Sequence, residues 1–456
     1  MSQDEALTIL KTGANVFLTG EPGSGKSHTT NQYVAYLRAH NIEPAITAST
    51  GIAATHIKGM TIHSWSGIGV KERLSEYDLD KIASNERLAK RIMHTRVLII
   101  DEVSMLSASV FAMVEAVCRV VRRNSKPFGG MQVVLVGDFF QLPPIVKQRR
   151  EEEVPAAEFL FENAEPKTPF AYTSSIWRQL NPIVCYLTEQ HRQEDAEFTA
   201  VLSAIRSGTH GNSHVAKIHT RLADDTQAPA GSVRLFPHNA DVDRINLAEL
   251  KKINGTERSF SMRSTGLAAT VESLKRGCLS PELLVLKVGA HVMFTKNNPT
   301  GSFVNGTLGK VTGYAESGAP IVKTHGGKHI VAEAMDWTLE EDGKVKAKLM
   351  QIPLRLAWAI TVHKSQGMSL DSAVMDLSQA FEYGQGYVAL SRVRSLEGLH
   401  LLGLNARALE VHPEALEQDA EFREQSDSAA NVFTTMPRKE LLELHTRFLK
   451  ASGGIE

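Results

Sequence analysis

The chain has 456 residues, of which 42% are hydrophobic and 22% are charged, and its formal net charge is −1. This composition predicts a globular protein of two to four domains and excludes a chain that is disordered throughout. The net charge excludes a protein that is basic over its whole surface, but it does not exclude a basic groove. Three widely separated cysteines, Cys118, Cys185 and Cys278, predict free thiols in a reducing compartment.

No apolar run in the sequence approaches the roughly 20 residues that a membrane-spanning helix needs. The N-terminus carries Asp4 and Glu5, and this acidity argues against a signal or transit peptide. We therefore expect a cytoplasmic protein, associated with the nucleoid if it is bacterial, that has no membrane partner.

The first predicted strand, residues 16–19, runs into Gly-Glu-Pro-Gly-Ser-Gly-Lys-Ser at residues 20–27, and a helix is predicted at residues 28–38. The eight residues fit the pattern G-x-x-x-x-G-K-[ST] of a phosphate-binding loop. Glycines let backbone N–H groups approach phosphate oxygens, and the helix N-terminus favours the same negative charge. Lys26 is predicted to reach the β- and γ-phosphates, and Ser27 to ligate Mg²⁺. The alternative is a glycine-rich turn that binds nothing. The residues predicted to contact ATP here are Gly23, Ser24, Gly25, Lys26, Ser27 and His28.

A second strand is predicted at residues 44–48, followed by small and hydroxylated residues. Ligands of parallel α/β sheets bind outside the carboxyl ends of the strands, so Thr47, Ser49 and Thr50 are placed to hydrogen-bond a polymer backbone. A simple helix N-cap is an equally good interpretation of this stretch. Residues 64–95 are mixed and polar, which predicts a small insertion between core strands.

Two further apolar runs end in polar side chains that suit ATP chemistry. Residues 97–100 precede Asp101, predicted to hold Mg²⁺, and Glu102, predicted to polarise the attacking water as general base. Residues 132–136 lead to Gln141, which could hydrogen-bond both the γ-phosphate and that water. The alternative for Gln141 is an ordinary surface glutamine.

From about residue 176 the pattern predicts a second α/β unit. A predicted strand end there presents Arg192, which could serve as an arginine finger or as a structural salt-bridge partner. Residues 296–350 are β-rich with hairpin-type turns, which predicts a small inserted barrel. The tail, residues 437–450, is an amphipathic helix that we expect to pack on the body of the protein.

The last α/β stretch places His363, Lys364 and Ser365 at a strand end, where they could hold the phosphates of a nucleic-acid strand. Residues 386–394 follow with helical spacing and contain a second arginine candidate, Arg392.

Taken in order, these stretches resemble the superfamily 1 class B helicases of the Pif (petite integration frequency) family, with the RecD-like helicases as near relatives. The resemblance extends from Gln3 to about Leu404, and its most specific parts are residues 137–144 and 363–367. It implies an α/β fold with two RecA-like P-loop motor domains, at residues 1–175 and 176–404, and a C-terminal helical tail at residues 405–456. It also implies that residues 64–95 are a small wedge insertion and that residues 296–350 are a Src-homology-3-like β-barrel.

The resemblance also implies roles for individual residues. Gln3 would read the adenine, Gln141 would sense the γ-phosphate, and Arg192 and Arg392 would be the paired arginines that reach ATP between the two motor domains. Predicted DNA contacts on the first and second domains are Thr50, His63, His363, Lys364 and Ser365.

The implied function is an ATP-dependent DNA helicase that uses ATP and Mg²⁺ and moves 5′-to-3′ on single-stranded DNA. It would act as a monomer on forked or structured DNA, including G-quadruplexes and R-loops, in replication, repair or recombination. Two alternatives stay open: an ATP-dependent switch that binds single strands without translocating, and an RNA-directed helicase of the same superfamily.

Overall fold

The computed structural model of the chain separates into two compact units. The first contains residues 1–218, 381–396 and 406–456, and the second contains residues 219–380 and 397–405. The structure describes residues 1–50, 53–54, 57, 59–69, 71, 73–144, 170–189, 195–222, 232–296, 298, 301–303, 307–324, 326–341, 344–366, 370 and 372–455.

A parallel sheet of six described strands organises the first unit, in the order β3-β2-β4-β5-β1-β6. The central strands are apolar and buried on both faces, as expected for a parallel sheet that helices cover. All their carboxyl ends meet at one edge, where the candidate site lies. The strands are β1 Val16–Gly20, β2 Ala45–Ala48, β3 Met60–Thr61, β4 Val97–Asp101, β5 Gln132–Val136 and β6 Ile183–Leu187.

A local signal explains where the first helix begins. Ser2 caps the first helix, accepting from the backbone N–H of Glu5, while the Glu5 carboxylate accepts from the backbone N–H of Ser2. The helices of this unit are α1 Gln3–Leu10, α2 Lys26–Ala39, α3 Ile62–Ser66, α4 Glu76–Ser84, α5 Glu86–His94, α6 Ala108–Arg122, α7 Ser175–Leu180, α8 Ala196–Arg206, α9 Asn212–His219, α12 Gln385–Leu390, α13 Pro413–Thr435 and α14 Arg438–Ser452.

The C-terminal helices are part of the first unit. Phe422 of α13 lies 5.0 Å from the ring of Phe17 on β1, and Ser426 of α13 accepts a hydrogen bond from the backbone N–H of Tyr186 on β6 at 2.9 Å. Leu449 of α14 belongs to the same buried cluster as β1. The predicted tail helix therefore forms and packs on the parallel sheet.

The observed division differs from the predicted domain boundaries. β6 pairs along its whole length with β1, so the segment that begins near residue 176 completes the first sheet. Residues 381–396, predicted to lie in the second motor domain, also cluster with the first unit. An apolar run predicts a strand, but it does not specify the sheet that the strand joins.

The second unit contains a parallel sheet and a β-rich region. The parallel sheet has the order β18-β7-β19-β20, and a five-stranded antiparallel sheet has the order β14-β13-β12-β11-β17 around a core that includes Phe294 and Val322. Two small antiparallel sheets, β15-β16-β9 and β10-β8, complete the described strands.

The elements of this unit are β7 Val233–Phe236, α10 Asn239–Lys252, β8 Arg258–Ser261, β9 Arg263–Gly266, α11 Ala268–Gly277, β10 Leu283–Leu286, β11 His291–Phe294, β12 Leu308–Tyr314, β13 Pro320–Thr324, β14 His329–Val331, β15 Met335–Glu341, β16 Lys344–Gln351, β17 Leu354–Leu356, β18 Ala359–Thr361, β19 Ala373–Leu377 and β20 Leu399–Leu404. The β-rich region begins well before residue 296. Among the described helices of the whole chain, none has the length and apolar character needed to cross a bilayer.

Candidate nucleotide and nucleic-acid sites

The loop between β1 and α2 has the backbone geometry of a phosphate cradle. Gly20, Gly23 and Gly25 have φ values of 143°, 92° and 90°, which residues with a Cβ rarely adopt. α2 begins at Lys26, directly after this loop, so its N-terminus faces the carboxyl edge of the sheet. Ser27 and His28 lie exposed on its first turn. The predicted strand, loop and helix are thus present in that order.

Lys26 folds back over the loop. Its Nζ donates to the carbonyl oxygen of Gly20 at 2.7 Å and to that of Glu21 at 3.0 Å. Burial lowers the pKa of this ammonium, and the negative charge of Asp138 opposes the shift. A bound phosphate would offer Nζ stronger acceptors than these two carbonyl oxygens.

Gln3 packs directly on the loop. Its Nε2 donates to the carbonyl oxygen of Ser24 at 3.3 Å. A Cβ added to Gly25 would lie 2.1 Å from the same nitrogen, so the glycine is needed for this close approach. The structure brings Gln3 to the loop, and its reading of adenine stays a prediction.

Asp101 and Glu102 are held at the end of β4. The backbone N–H of Glu102 donates to Asp101 Oδ1 at 2.9 Å, and Glu102 has left-handed backbone angles, φ 52° and ψ 45°. Ser49 fixes this corner from the neighbouring strand, because its hydroxyl donates to the carbonyl oxygen of Glu102 at 2.7 Å. A strained residue at a strand end is typical of a functional site.

Burial also changes the acidity of both carboxyl groups. It raises the pKa of Asp101 to about 6. It raises the pKa of Glu102 to about 7, with a further contribution from the charge of Asp101, while Lys26 and Arg392 act in the opposite direction. A carboxylate with a pKa near neutrality suits a general base.

Gln141 lies next to a buried ion pair. It is 7% exposed, and its Nε2 donates to Asp138 Oδ2 at 3.4 Å. Nη1 of Arg206, on α8, donates to both oxygens of Asp138 at 2.7 Å. The sequence analysis missed Arg206, although a signal exists: it continues the apolar stripe of Phe198, Leu202 and Ile205 at helical spacing.

The two predicted arginine fingers have different outcomes. Arg392 is 1% exposed and donates from Nε to the carbonyl oxygen of Val388 at 2.8 Å and from Nη2 to Ser391 Oγ at 2.8 Å. Its charge lowers the pKa of Glu102, so the structure brings it into the electrostatic environment of the candidate site. Arg192 lies outside the described residues.

The donor set at the site fits Mg²⁺. Within the part of the chain that the structure describes, no group of three or more His, Cys, Asp or Glu side chains could hold a metal by itself. The hydroxyl of Ser27 and the carboxylate of Asp101 are hard oxygen donors. Mg²⁺ prefers such donors, and it commonly takes one or two from the protein and the rest from water and phosphates.

Two predicted DNA contacts in the first unit need correction. Thr47 is fully buried, and its hydroxyl donates to the carbonyl oxygen of Ile99 at 2.7 Å, so it joins two strands and cannot reach a polymer. Ser49 is buried, and its hydroxyl proton is engaged by Glu102, as described above. Thr50 is half-buried and accepts from the backbone N–H of Ala53 at 3.2 Å, as an N-cap does. A DNA contact by Thr50 stays a prediction.

The histidine contact predicted for the first unit also stays a prediction. His63 is half-buried on α3, and burial lowers the pKa of its imidazole. At neutral pH this side chain would therefore offer DNA a hydrogen bond rather than a positive charge.

In the second unit, Ser365 also needs correction. It is fully buried, and its hydroxyl donates to the carbonyl oxygen of Val362 at 2.7 Å within the 3₁₀ turn Val362–Ser365. His363 and Lys364 on the same turn are half-buried. Burial, with help from the charge of Arg355, lowers the pKa of Lys364 to about 8. Burial also lowers the pKa of His363.

Comparison with known proteins agrees with this geometry. The model of a family described as PIF1-like helicase matches residues 4–215. A protein named ATP-dependent DNA helicase Pif1 from a Psychrobacter species is 42% identical over an alignment of 512 positions. The alignment covers 100% of this chain and 75% of that protein. The chain belongs to the PIF1-like helicase family. The family predicted from the sequence is therefore confirmed.

Solved structures of PIF1-like helicases share the fold. Pif1 helicase from Candida albicans has a TM-score of 0.81 and 32% identity, over 92% of this chain and 98% of that one. Pif1 helicase from Bacteroides, solved in complex with ADP-AlF3 and single-stranded DNA, has a TM-score of 0.74 and 28% identity, over 94% of this chain and 97% of that one. A model described as the 2B domain of DNA helicase Pif1 matches residues 270–314. The predicted fold class, RecA-like motor domains with an inserted β-barrel, is confirmed.

Proposed function

We propose that this PIF1-like chain is an ATP-dependent DNA helicase that translocates on single-stranded DNA and unwinds duplexes. One observation carries the proposal. Lys26, Asp101, Glu102 and Gln141 all follow or flank carboxyl ends of neighbouring strands in one parallel sheet, behind a loop whose backbone suits phosphate. The family supplies the substrate class, since its named members are ATP-dependent DNA helicases.

Each group in the first unit has a distinct task in ATP hydrolysis. The loop N–H groups and the start of α2 bind the triphosphate, and Nζ of Lys26 exchanges its two carbonyl acceptors for phosphate oxygens. Ser27 and Asp101 would hold Mg²⁺, which neutralises charge on the phosphates when bound. Glu102 accepts the proton of the attacking water, and its raised pKa makes it a stronger base than an exposed carboxylate. Gln141 senses the γ-phosphate.

DNA binding is proposed to rest on backbone contacts. His63, His363 and Lys364 are half-buried, so each presents part of a polar side chain to solvent on a fixed backbone. Contacts to phosphate carry little sequence information and give a strong salt dependence. Of the three, Lys364 offers a positive charge below its pKa of about 8.

Finer features of the function belong to the same proposal. For the enzyme as a whole they are 5′-to-3′ polarity, action as a monomer, and a preference for forked or structured DNA such as G-quadruplexes and R-loops. For single residues they are the roles of Arg192 and Arg392 as arginine fingers and of Gln3 as the residue that reads adenine. The assignment of residues 64–95 as a wedge insertion of the first motor domain is also proposed. The first compact unit, which contains the whole candidate ATP site, supports it.

The proposal is tested with Lys26→Ala. We expect DNA-stimulated ATP hydrolysis to fall at least about 100-fold, because the lysine contacts charge that develops on the transferred phosphoryl group. Binding to single-stranded DNA should survive. Lys126→Ala is the matched control, since Lys126 is exposed and precedes the amino end of β5.

Unwinding assays on forks with DNA, RNA and hybrid arms separate the alternatives. A helicase of the proposed type unwinds DNA forks that carry a 5′ single strand and loses this activity in Lys26→Ala. Hydrolysis without unwinding of any fork would favour a binding switch, and unwinding confined to RNA arms would favour an RNA-directed enzyme. Near-normal DNA-stimulated hydrolysis by Lys26→Ala would reject the site itself.

A further inference from the structure

Asp138 and Arg206 form a fully buried ion pair beside the candidate γ-phosphate sensor. Asp138 is 0% exposed and Arg206 is 2% exposed. One guanidinium nitrogen, Nη1, donates to both carboxylate oxygens at 2.7 Å, and the backbone N–H of Phe140 donates to Oδ1 at 3.2 Å. Buried charges persist in proteins only when they are paired and well hydrogen-bonded, so this carboxylate has a fixed position.

The carboxylate in turn orients Gln141. A carboxylate only accepts hydrogen bonds, so the amide of Gln141 must present its NH₂ group to Asp138 Oδ2. This hydrogen bond thus fixes which end of the Gln141 amide is the nitrogen and which is the carbonyl oxygen. A glutamine that has to accept from a water and donate to a phosphate needs this fixed orientation.

Arg206 is held by two tyrosine hydroxyls and an aromatic face. Its Nη2 donates to Tyr186 Oη at 2.8 Å, and its Nη1 donates to Tyr387 Oη at 3.3 Å. The guanidinium carbon lies 4.1 Å from the centre of the Phe140 ring. Tyr186 lies on β6, Tyr387 lies on α12, and Phe140 directly precedes Gln141. Three separate segments of the first unit therefore hold one guanidinium.

Helix α13 holds the other end of this network. Tyr186 Oη donates to Asp419 Oδ1 at 2.9 Å and accepts from Arg423 Nη2 at 2.7 Å. Arg423 Nε also donates to Asp419 Oδ2 at 2.7 Å. A continuous set of hydrogen bonds therefore leads from α13 through Tyr186, Arg206 and Asp138 to Gln141, all within the first compact unit.

We propose that Arg206 is a positioning residue for ATP hydrolysis, which α13 supports through Tyr186, and that it acts by fixing the amide of Gln141. The inference rests on the proposed role of Gln141 as γ-phosphate sensor. It assigns α13 to the support of hydrolysis as well as to packing on the sheet. Loss of the network should slow turnover without weakening ATP binding, because no member other than Gln141 is proposed to contact the nucleotide.

Tyr186→Phe is the sharpest test, because it keeps the ring and removes the hydroxyl that hydrogen-bonds Arg206, Asp419 and Arg423. The longer ion pair between Arg206 Nη2 and Asp419 Oδ1, at 3.7 Å, remains in this variant. Tyr33→Phe is the matched control: Tyr33 is a fully buried tyrosine of the same unit whose hydroxyl donates to Gln132 Oε1 at 2.6 Å, at the opposite end of β5. We expect Tyr186→Phe to lower kcat of DNA-stimulated hydrolysis about fivefold, with KM for ATP unchanged within about twofold. Tyr33→Phe should lower Tm to a similar extent and leave kcat within about twofold.

A double-mutant cycle distinguishes positioning from general stabilisation. In a Gln141→Ala background, Tyr186→Phe should cause no further loss of kcat. An equal loss in both backgrounds, or no loss in the wild type, would overturn the inference while leaving the proposed helicase intact. If Gln141→Ala itself hydrolyses ATP at the normal rate, the sensor assignment fails and the inference fails with it. Asp419→Asn serves as a second probe if Tyr186→Phe does not fold, with the same pattern expected.

Discussion

Replacement of Gly25 by alanine tests the geometry of the phosphate loop most directly. Gly25 has a φ of 90°, and a Cβ there would lie 2.1 Å from Gln3 Nε2. The left-handed backbone costs a residue with a Cβ roughly 1 kcal/mol. Displacement of Gln3, with loss of its hydrogen bond to Ser24, costs about another 1 kcal/mol. Together these terms are about 2 kcal/mol, which weakens ATP binding about thirtyfold if the loop must regain its present conformation to bind phosphate.

Equilibrium titration with a fluorescent ATP analogue measures this effect, and Gly453→Ala is the control for a left-handed glycine outside the phosphate loop. Gly453 also has a left-handed backbone, at φ 77°, but a Cβ there meets no atom within 4 Å and lies at the end of the last helix. This control should leave ATP affinity unchanged. Gln3→Ala separates the cost of the backbone from the cost of the clash. In the wild type it removes only the contacts of Gln3, whereas in the Gly25→Ala background it also removes the clash. Its effect on ATP affinity should therefore be about fivefold more favourable in the Gly25→Ala background than in the wild type. Affinity of Gly25→Ala within twofold of the wild type, or no coupling to Gln3, would refute the reasoning.

Two other changes examine the nucleic-acid assignments. Thr47→Val removes a buried hydroxyl that donates to the carbonyl oxygen of Ile99, so we expect the free energy of unfolding to fall by about 1 kcal/mol. The affinity for single-stranded DNA should not change. A tenfold weaker complex in a DNA titration would restore Thr47 as a contact. Burial lowers the pKa of Lys364 to about 8, so the folded protein loses this charge as the pH rises through that value. The unfolded chain holds the same proton more tightly, so the free energy of unfolding rises from about pH 8 upward. DNA affinity should therefore fall between about pH 7 and about pH 9 in the wild type and stay level in Lys364→Arg, whose guanidinium remains charged; parallel pH profiles would contradict this.

The strand, loop and helix that carry the candidate nucleotide site could be predicted because their signals are local. The apolar run of β1, the glycines of the loop and the start of α2 are contiguous in sequence, and each has its own conformational preference. The same holds for the strand that ends at Asp101. The carboxyl edge of a parallel sheet then brings these local features together without further information.

The residues that could contact DNA were harder to predict, because a shift of a few positions near a strand end decides whether a side chain is buried in the sheet or lies at the surface. Thr47 lies inside the sheet, with β3 on one side and β4 on the other, whereas Thr50 lies beyond the strand end and is half-buried. Three positions separate the two hydroxyls. The sequence shows that both are threonines near a strand end, but only the register shows which of them can reach a ligand.

Arg206 and the boundary near residue 176 could not be predicted for a related reason, since both depend on contacts between distant parts of the chain. Asp138 is 68 positions from Arg206, and Tyr387 is 181 positions away. A charged residue on an apolar helical stripe signals that some buried partner exists, but it does not say which one. Here the partner is the carboxylate that holds Gln141. Arg206, which the sequence could not place, therefore lies beside the candidate sensor Gln141. The tyrosine that holds it, Tyr186, lies on β6, the strand whose pairing with β1 the sequence did not specify.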